Sequence, residues 1–162
     1  MFRVIQKVKK FIEMDFKLKC LMMEAFIFLA RGRFLKLLPF AKVTPSLGEE
    51  SMETEVQVNG NEKMIKDVSL AIETMSKYTF WESACLVQAI AATRMLNRRK
   101  IPTTLYLGIA RDQAGKMEAH AWVRSGSHYV TGARGKQRFT VVNTFAGGMS
   151  KRGEKNEGIR RN

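Results

Sequence analysis

The spacing of apolar residues changes at Pro102 from a helical period to a period of two. Before Pro102, apolar side chains recur three or four residues apart, which is typical of amphipathic helices. After it, short β-branched and aromatic segments alternate and are separated by breaks that contain Gly or Ser, which is typical of strands. Helices followed by strands in this way predict an α+β fold with an antiparallel sheet.

The helical half is predicted to hold an N-terminal helical region and two further helices. Residues 11–38 form one or two helices, which Pro39 ends because proline cannot continue a helix. Residues 46–61 are acidic, contain glycine and lack a sustained period, so they are predicted to form a linker or mobile loop. Residues 64–75 return to helical spacing and predict an amphipathic helix.

The strand half is predicted to contain four short strands in a meander, because Gly- or Ser-containing breaks separate them. The predicted strands are Thr104–Ala110, Ala119–Arg124, His128–Thr131 and Phe139–Phe145. The chain as a whole is predicted to divide into a basic helical region (1–48), a linker (49–61), a core (62–148) and a disordered basic tail (149–162).

The composition excludes several classes of protein. Apolar residues make up 45% of the 162 positions, which is enough for a folded core despite a net charge of +13. Two cysteines form no disulfide framework, and no Cys/His cluster offers a zinc site, so we expect no metal or cofactor and a reducing, cytoplasmic location. The positive excess lies at the two ends, but no nucleic-acid-binding motif accompanies it. No segment is long and apolar enough to predict a transmembrane helix.

Cys85 and His120 are the residues most suited to chemistry. A cysteine near a helix start and a histidine on a later strand is the arrangement of thiol enzymes, because the helix N-terminus and an imidazolium both stabilise a thiolate. Thr79 and Glu82 have capping-box spacing, which would put Cys85 in the second turn. A helix that starts at Ser83 would put it in the first turn, and the sequence leaves both open.

The position of Cys20 and the alternation of residues around His120 support the choice of Cys85 and His120. Cys20 lies inside an apolar helical run and is predicted to belong to the core. In the segment Ala119–Val123, the small apolar residues share one face of the strand, whereas His120 and Trp122 share the other. His120 therefore points away from the aliphatic face.

Several separated blocks of sequence resemble the lasso-peptide biosynthesis B2 proteases, which are transglutaminase-like cysteine peptidases. The blocks occur in order and together with the intervening chain span most of residues 65–145. They are WESACLVQA (81–89), MLNRRKIPTTLYLG (95–108), AHAWV (119–123) and FTVV (139–142).

The resemblance implies a transglutaminase/papain-like core in which a helix bearing Cys85 packs on the antiparallel sheet. It implies that Cys85 is the nucleophile and His120 its base, and that the reaction removes the leader from a ribosomally made precursor peptide. It also implies two protein partners besides the precursor, a small leader-recognition protein and an asparagine-synthetase-like cyclase. The basic N-terminal helices are predicted to dock such a partner.

The sequence departs from the family where an acid should hold the imidazole. Transglutaminase-like enzymes usually place Asp on the strand after the His strand, but no Asp or Glu occurs from residue 121 to 153. If the hairpin turn is Ser125-Gly126, Thr131 lies across from His120, whereas a Gly126-Ser127 turn puts Ala133 there. Thr131 is the first candidate to orient the imidazole.

Two other side chains remain candidates for the orienting role. Asn143 on the next strand is the second choice, since a Cys-His-Asn set is chemically sufficient. Glu118 is nominally on the same face as His120. The missing acid leaves open a non-catalytic module that docks the precursor or cyclase. Acyl transfer to an amine instead of water also stays open, because it would use the same residues.

Overall fold

The computed structural model describes residues 14–56, 60–81 and 83–148. As the change of period predicts, helices come before nearly all of the sheet. In chain order the elements are α1 (Phe16–Leu35), α2 (Phe40–Val43), a 3-10 turn (Thr44–Ser46), β1 (Glu49–Glu50), α3 (Glu62–Ser76), α4 (Cys85–Asn97), β2 (Thr103–Arg111), β3 (Met117–Ser125), β4 (His128–Thr131), a 3-10 turn (Lys136–Arg138) and β5 (Thr140–Gly147).

Helix α1 packs closely against α4. Ala25 and Leu29 on the inner side of α1 are completely buried. At Gly32, a Cβ atom would lie 3.1 Å from the carbonyl oxygen of Val87 in α4. The lack of a side chain at Gly32 therefore lets the two helix backbones approach each other.

The three long helices and the sheet build one hydrophobic core. Its largest fully buried side chains come from α1, α3, α4, β2, β3, β5 and the turn before β1, and they are Leu29, Leu47, Ile65, Val68, Ile72, Val87, Ile90, Met95, Leu96, Leu105, Val123 and Phe145. The described parts of the predicted regions 1–48 and 62–148 thus share a core instead of packing separately.

The outer side of α1 carries an exposed apolar surface. Phe16, Cys20, Met23, Ile27 and Phe34 are all exposed and follow one another at helical spacing. We call these five residues the α1 stripe. The prediction that Cys20 belongs to the core is wrong, because α1 is apolar on both sides and the spacing alone did not show which side is inner.

The sheet has five strands in the order β1-β5-β2-β3-β4, with antiparallel pairing throughout. The hairpins β2-β3 and β3-β4 follow the predicted meander. The last strand does not, because β5 returns to lie beside β2 on the opposite side from β3. Strands β2 to β5 therefore have Greek-key order instead of a simple meander.

The first two residues of the predicted linker 49–61 belong to the sheet, and the residues after them are bonded to it. Glu49 and Glu50 pair with Ala146 and Phe145 of β5. Thr54 is buried, and its amide donates to Oγ1 of Thr104 at 2.9 Å. Acidic composition and lack of a period predicted a loop because strands this short have no readable period.

A buried polar network fastens this segment to β2 and β3. The Arg124 side chain donates from Nε to the Tyr106 hydroxyl at 2.9 Å, and from Nη2 to Glu53 at 3.1 Å and to the Thr54 carbonyl at 3.0 Å. The Tyr106 hydroxyl donates to Glu53 at 2.6 Å. Burial and the bond to Glu53 raise the pKa of Tyr106, so this hydroxyl keeps its proton in the network.

Arg124 stays charged although it is only 8% exposed. Burial by itself would lower the pKa of Arg124, but the hydrogen bonds to Tyr106 and Glu53 outweigh burial and raise it. The positive charge of Arg124 is thus balanced by the Glu53 carboxylate and by hydrogen bonds within the fold.

The predicted basic tail, 149–162, lies outside the described residues. Among the helices that the structure describes, none is both long and apolar enough to cross a bilayer.

We predict that Arg124→Met lowers the free energy of unfolding by about 2–4 kcal/mol, because it removes the buried donor to the Thr54 and Gly126 carbonyls and the cation paired with Glu53. Arg138→Met is the matched control, since Arg138 forms an exposed pair with Glu118. Its effect should stay below about 1 kcal/mol. Equal losses in urea unfolding of the two variants would show that the Arg124 network does not fasten the segment.

Candidate active site

Cys85 is the first residue of α4. The capping box predicted at Thr79 does not open this helix, and Glu82 lies outside the described residues. The Thr79 hydroxyl instead bonds the Ser76 carbonyl at 3.1 Å and the Ser83 hydroxyl at 2.8 Å, in the loop before the helix. Of the two predicted helix starts, Ser83 is therefore nearer to the observed start than Thr79, and Cys85 lies in the first turn.

The N-terminus of α4 directs backbone amides toward the region of Cys85. Its N-cap is Ala84, which has no side-chain oxygen to accept from them. The first hydrogen bond along the helix runs from the Gln88 amide to the Ala84 carbonyl at 3.1 Å. The amides of residues 85–87 precede that bond, and the helix dipole makes this end partially positive.

The Cys85 side chain is half-buried and packs against the apolar core. Its thiol is free of any disulfide. Within residues 14–56, 60–81 and 83–148, no hydrogen bond joins Cys85 to His120. The structure therefore places the thiol at a helix start but does not show the pair in contact.

His120 lies on β3, on the face of the sheet away from the helices. Its neighbours Ala121 and Val123 join the helix-covered core, and strand alternation turns His120 the other way, as predicted. Strand β4 pairs with β3 only from Val123 to Ser125, so His120 lies on a part of β3 that β4 leaves uncovered. Its Nε2 is 2.9 Å from the carbonyl oxygen of Gly132, just beyond β4.

Two aromatic rings flank the imidazole. The ring centroid of Phe139 is 4.9 Å from that of His120, and the centroid of Trp122 is 5.8 Å away. Across the β2–β3 ladder, His120 is paired with Gly108. A Cβ on Gly108 would lie 2.8 Å from the Trp122 ring and 2.9 Å from Phe139 Cβ, so this glycine lets both aromatic residues close around the site.

Thr131 is not brought to His120. The hairpin turn is Gly126-Ser127, because Ser125 pairs with His128, and an irregularity after Arg124 then places Thr131 opposite Val123. Paired residues share a face, so Thr131 lies on the Val123 side of the sheet. Its hydroxyl is buried and has no hydrogen-bond partner among the described residues.

The two other candidate orienters have partners of their own. Asn143 donates to Glu50 at 2.6 Å and accepts from the Thr144 amide at 2.8 Å. Glu118 forms an ion pair with Arg138. Neither is bonded to His120, so the imidazole is held by a backbone carbonyl that no side-chain motif in the sequence indicates.

The described part of the chain contains no group of three or more His, Cys, Asp and Glu side chains that could hold a metal ion. The candidate groups are a thiol with the amides of a helix N-terminus at α4, and an imidazole with a peptide carbonyl at β3. Such a set can perform nucleophilic chemistry at a carbonyl carbon.

Residues 25–144 match the protein family described as the Transglutaminase-like superfamily, which covers α1 to β5 and therefore both Cys85 and His120. No curated protein and no solved structure gives a significant match.

We predict that Thr131→Val raises the free energy of unfolding by about 1 kcal/mol, because it removes a buried hydroxyl that has no partner and keeps the side-chain shape. The control is Thr104→Val, since the Thr104 hydroxyl is also buried but bonds Thr54. The control should lose about 1–3 kcal/mol in the same urea unfolding experiment. A Thr131→Val variant as destabilised as the control would mean that its hydroxyl makes a bond essential to the fold.

Proposed function

Because the chain belongs to the transglutaminase-like superfamily, we propose that it is a cysteine peptidase with Cys85 as nucleophile and His120 as base. The observation that carries the proposal is the position of Cys85 as the first residue of α4. At this point the helix dipole favours a thiolate, and the amides of the first turn favour the oxyanion that forms when a thiolate attacks a carbonyl.

The proposed first step transfers the Cys85 Sγ proton to Nδ1 of His120, while the sulfur attacks the scissile carbonyl carbon. The carbonyl oxygen becomes an oxyanion, which amides at residues 85–87 stabilise. The imidazolium then gives its proton to the leaving nitrogen as the C–N bond breaks. This step releases the amine and leaves a thioester on Cys85.

The second step hydrolyses the thioester. His120 accepts a proton from water, the resulting hydroxide attacks the thioester carbonyl, and the thiolate leaves. His120 returns the proton to sulfur, which restores the starting state.

The proposal requires Cys85 Sγ to approach His120 when substrate binds. Catalytic hydrogen bonds in thiol enzymes are often long without substrate and tighten in the complex. His120 lies where β3 has no paired neighbour on its outer side, so no strand separates its ring from an approaching segment there. Cys85 packs on the helix side of the sheet and His120 lies on the other face, so the proposal has substrate binding bring the two groups together around this edge.

We further propose that the substrate is the leader–core junction of a lasso precursor peptide. The support is the resemblance of the blocks around Cys85 and His120, which occur in family order. In this pathway the cysteine peptidase would act in the cytoplasm beside a leader-recognition protein, and an asparagine-synthetase-like cyclase would close the ring on the freed amine. Both free thiols, Cys20 and Cys85, are compatible with a reducing compartment.

We predict that Cys85→Ala reduces leader removal at least about a thousandfold and leaves the melting temperature nearly unchanged, because it removes the nucleophile but little packing. His120→Ala should lose a similar factor, and the double variant little more, because the pair acts as a unit. Cys20→Ala is the matched control and should cleave at the wild-type rate. The measurement is mass spectrometry of a precursor incubated with the protein and its recognition partner.

Leader removal by Cys85→Ala at the wild-type rate would refute the assignment of the nucleophile. A loss in Cys20→Ala as large as in Cys85→Ala would also refute this assignment, because the effect would then not be specific to Cys85.

The second candidate function is a non-catalytic module that docks the precursor or the cyclase. Two observations favour it: the described residues contain no Cys85–His120 hydrogen bond, and among them no carboxylate is hydrogen-bonded to His120. The cleavage assay separates the two functions, because a docking module binds precursor without producing a free leader. Product analysis with an added amine tests acyl transfer, which would join the leader to that amine.

The α1 stripe supports a docking role for the N-terminal helices in addition to catalysis. Phe16 is 75% exposed and Phe34 71%, which is unusual for aromatic side chains that have no role on the surface. Arg31 is exposed on the same helix, and the one acidic residue of α1, Glu24, is already paired with Arg98 and Arg99. An apolar surface beside the exposed Arg31 suits an apolar partner surface with acidic flanks. We propose that the leader-recognition protein occupies it.

We predict that Ile27→Glu weakens association with the recognition protein at least about tenfold, because it puts a carboxylate in the middle of the stripe. The matched control is Leu70→Glu, an exposed leucine of α3 that lies outside the stripe. It should bind as the wild type does in titration calorimetry. Equal affinities of both variants and the wild type would remove the stripe from the interface.

A further inference from the structure

We propose that the peptide carbonyl of Gly132 takes the place of the missing carboxylate and orients His120 through Nε2, which leaves Nδ1 as the basic nitrogen. The catalytic meaning of this contact rests on the proposed function, but the contact itself does not.

The first step of the argument is the absence of an acid where one is expected. No Asp or Glu occurs from residue 121 to 153, which includes the whole strand after the His strand. The nearest acidic side chain on the same strand face, Glu118, is paired with Arg138. A charged partner for His120 is thus absent from the described residues.

The second step concerns the proton on the imidazole. A carbonyl oxygen can only accept a hydrogen bond, so a neutral His120 at 2.9 Å from the Gly132 oxygen must carry its proton on Nε2. The lone pair then lies on Nδ1. The tautomer is set by the hydrogen bond that the other nitrogen makes, which is the role an Asp plays in a catalytic triad.

The third step concerns why the carbonyl lies there. The irregularity that pairs Arg124 with Tyr129 and Val123 with Thr131 inserts one extra residue into β4. It brings residue 132 against β3, where a Cβ would lie 2.4 Å from the Ala121 oxygen and 2.8 Å from Trp122 Cβ. The backbone of Gly132 also has a φ of +68°. Only glycine fits this place without moving β3.

The fourth step concerns the ring plane. One hydrogen bond leaves an imidazole free to rotate about that bond. The rings of Phe139 and Trp122 contact the His120 ring and restrict this rotation. A peptide dipole stabilises an imidazolium less than a carboxylate does. We therefore expect the carbonyl to act through orientation and tautomer, with less stabilisation of charge than a carboxylate would give.

The test is nitrogen NMR of the imidazole rings in the full chain, with His128→Gln to identify the two histidines. In the neutral ring of His120, we expect the Nε2–H tautomer in about tenfold excess, which is the bias that one neutral hydrogen bond supplies. A scalar coupling across the hydrogen bond, between His120 Nε2 and the carbonyl carbon of Gly132, should also be present. Both measurements use the wild-type backbone and do not depend on the folding of a variant.

Gly132→Ala should reduce the tautomer excess, because its Cβ displaces the peptide from β3. Gly135→Ala is the matched control, since Gly135 has a φ of +75° but nothing within 4 Å of a built Cβ. The control carries the same backbone strain and should keep the wild-type tautomer ratio. An Nδ1–H tautomer in the wild type, or an unchanged ratio in Gly132→Ala, would overturn the proposal.

The outcome is separable from that of the proposed function. A wild-type protein with the Nε2–H tautomer and the coupling, but with no cleavage of any precursor, keeps the orienting contact and refutes the peptidase. Cleavage together with the opposite tautomer keeps the peptidase and refutes the orienting carbonyl.

Discussion

The antiparallel pairing of β2 with β3 is the constraint on which the rest of the structure depends. It runs without interruption from Thr104 opposite Arg124 to Arg111 opposite Met117. Because side chains alternate along a strand, this one register decides that Ala121 and Val123 face the helices and that His120, Trp122 and Arg124 face the other side. A slip of one residue would put an arginine and a histidine into the apolar core.

The two faces are stabilised by different interactions. The helix side is an apolar core to which α1 contributes Leu21, Met22, Ala25, Phe28 and Leu29, so removal of α1 would expose the inner face of α4. The opposite face is covered in part by residues 51–54, which the buried Arg124 ties to the sheet through Glu53 and Thr54. Tyr106 stacks on Trp122, which in turn flanks His120, so the polar network and the candidate site adjoin.

The sequence predicts a helix or strand correctly where its apolar residues repeat over enough positions to show a period. It correctly predicts the amphipathic α3, the strand β4 residue for residue, and the face of β3 that holds His120. It fails where a single residue or a distant partner decides. Helix α4 does not start at Thr79, because the Thr79 hydroxyl is hydrogen-bonded inside the preceding loop. Strand β5 lies on the opposite side of β2 from β3, and the sequence did not predict this because strand order depends on non-local pairing. The orienting group at His120 was missed because it is a peptide carbonyl, and the extra residue in β4 that places it has no sequence signal.

The central claim is that His120 acts as the base for Cys85, and the rate at which Cys85 reacts with a small alkylating reagent tests it most directly. The experiment uses a Cys20→Ser background, because Cys20 is exposed and would react as well. It compares His120→Ala with His128→Ala at neutral pH with the leader peptide and its recognition partner bound, because the proposal brings Cys85 Sγ and the imidazole together only when substrate binds. The account predicts that loss of His120 slows alkylation of Cys85 at least about tenfold, whereas loss of His128 has no effect. Equal alkylation rates in the two variants would contradict it.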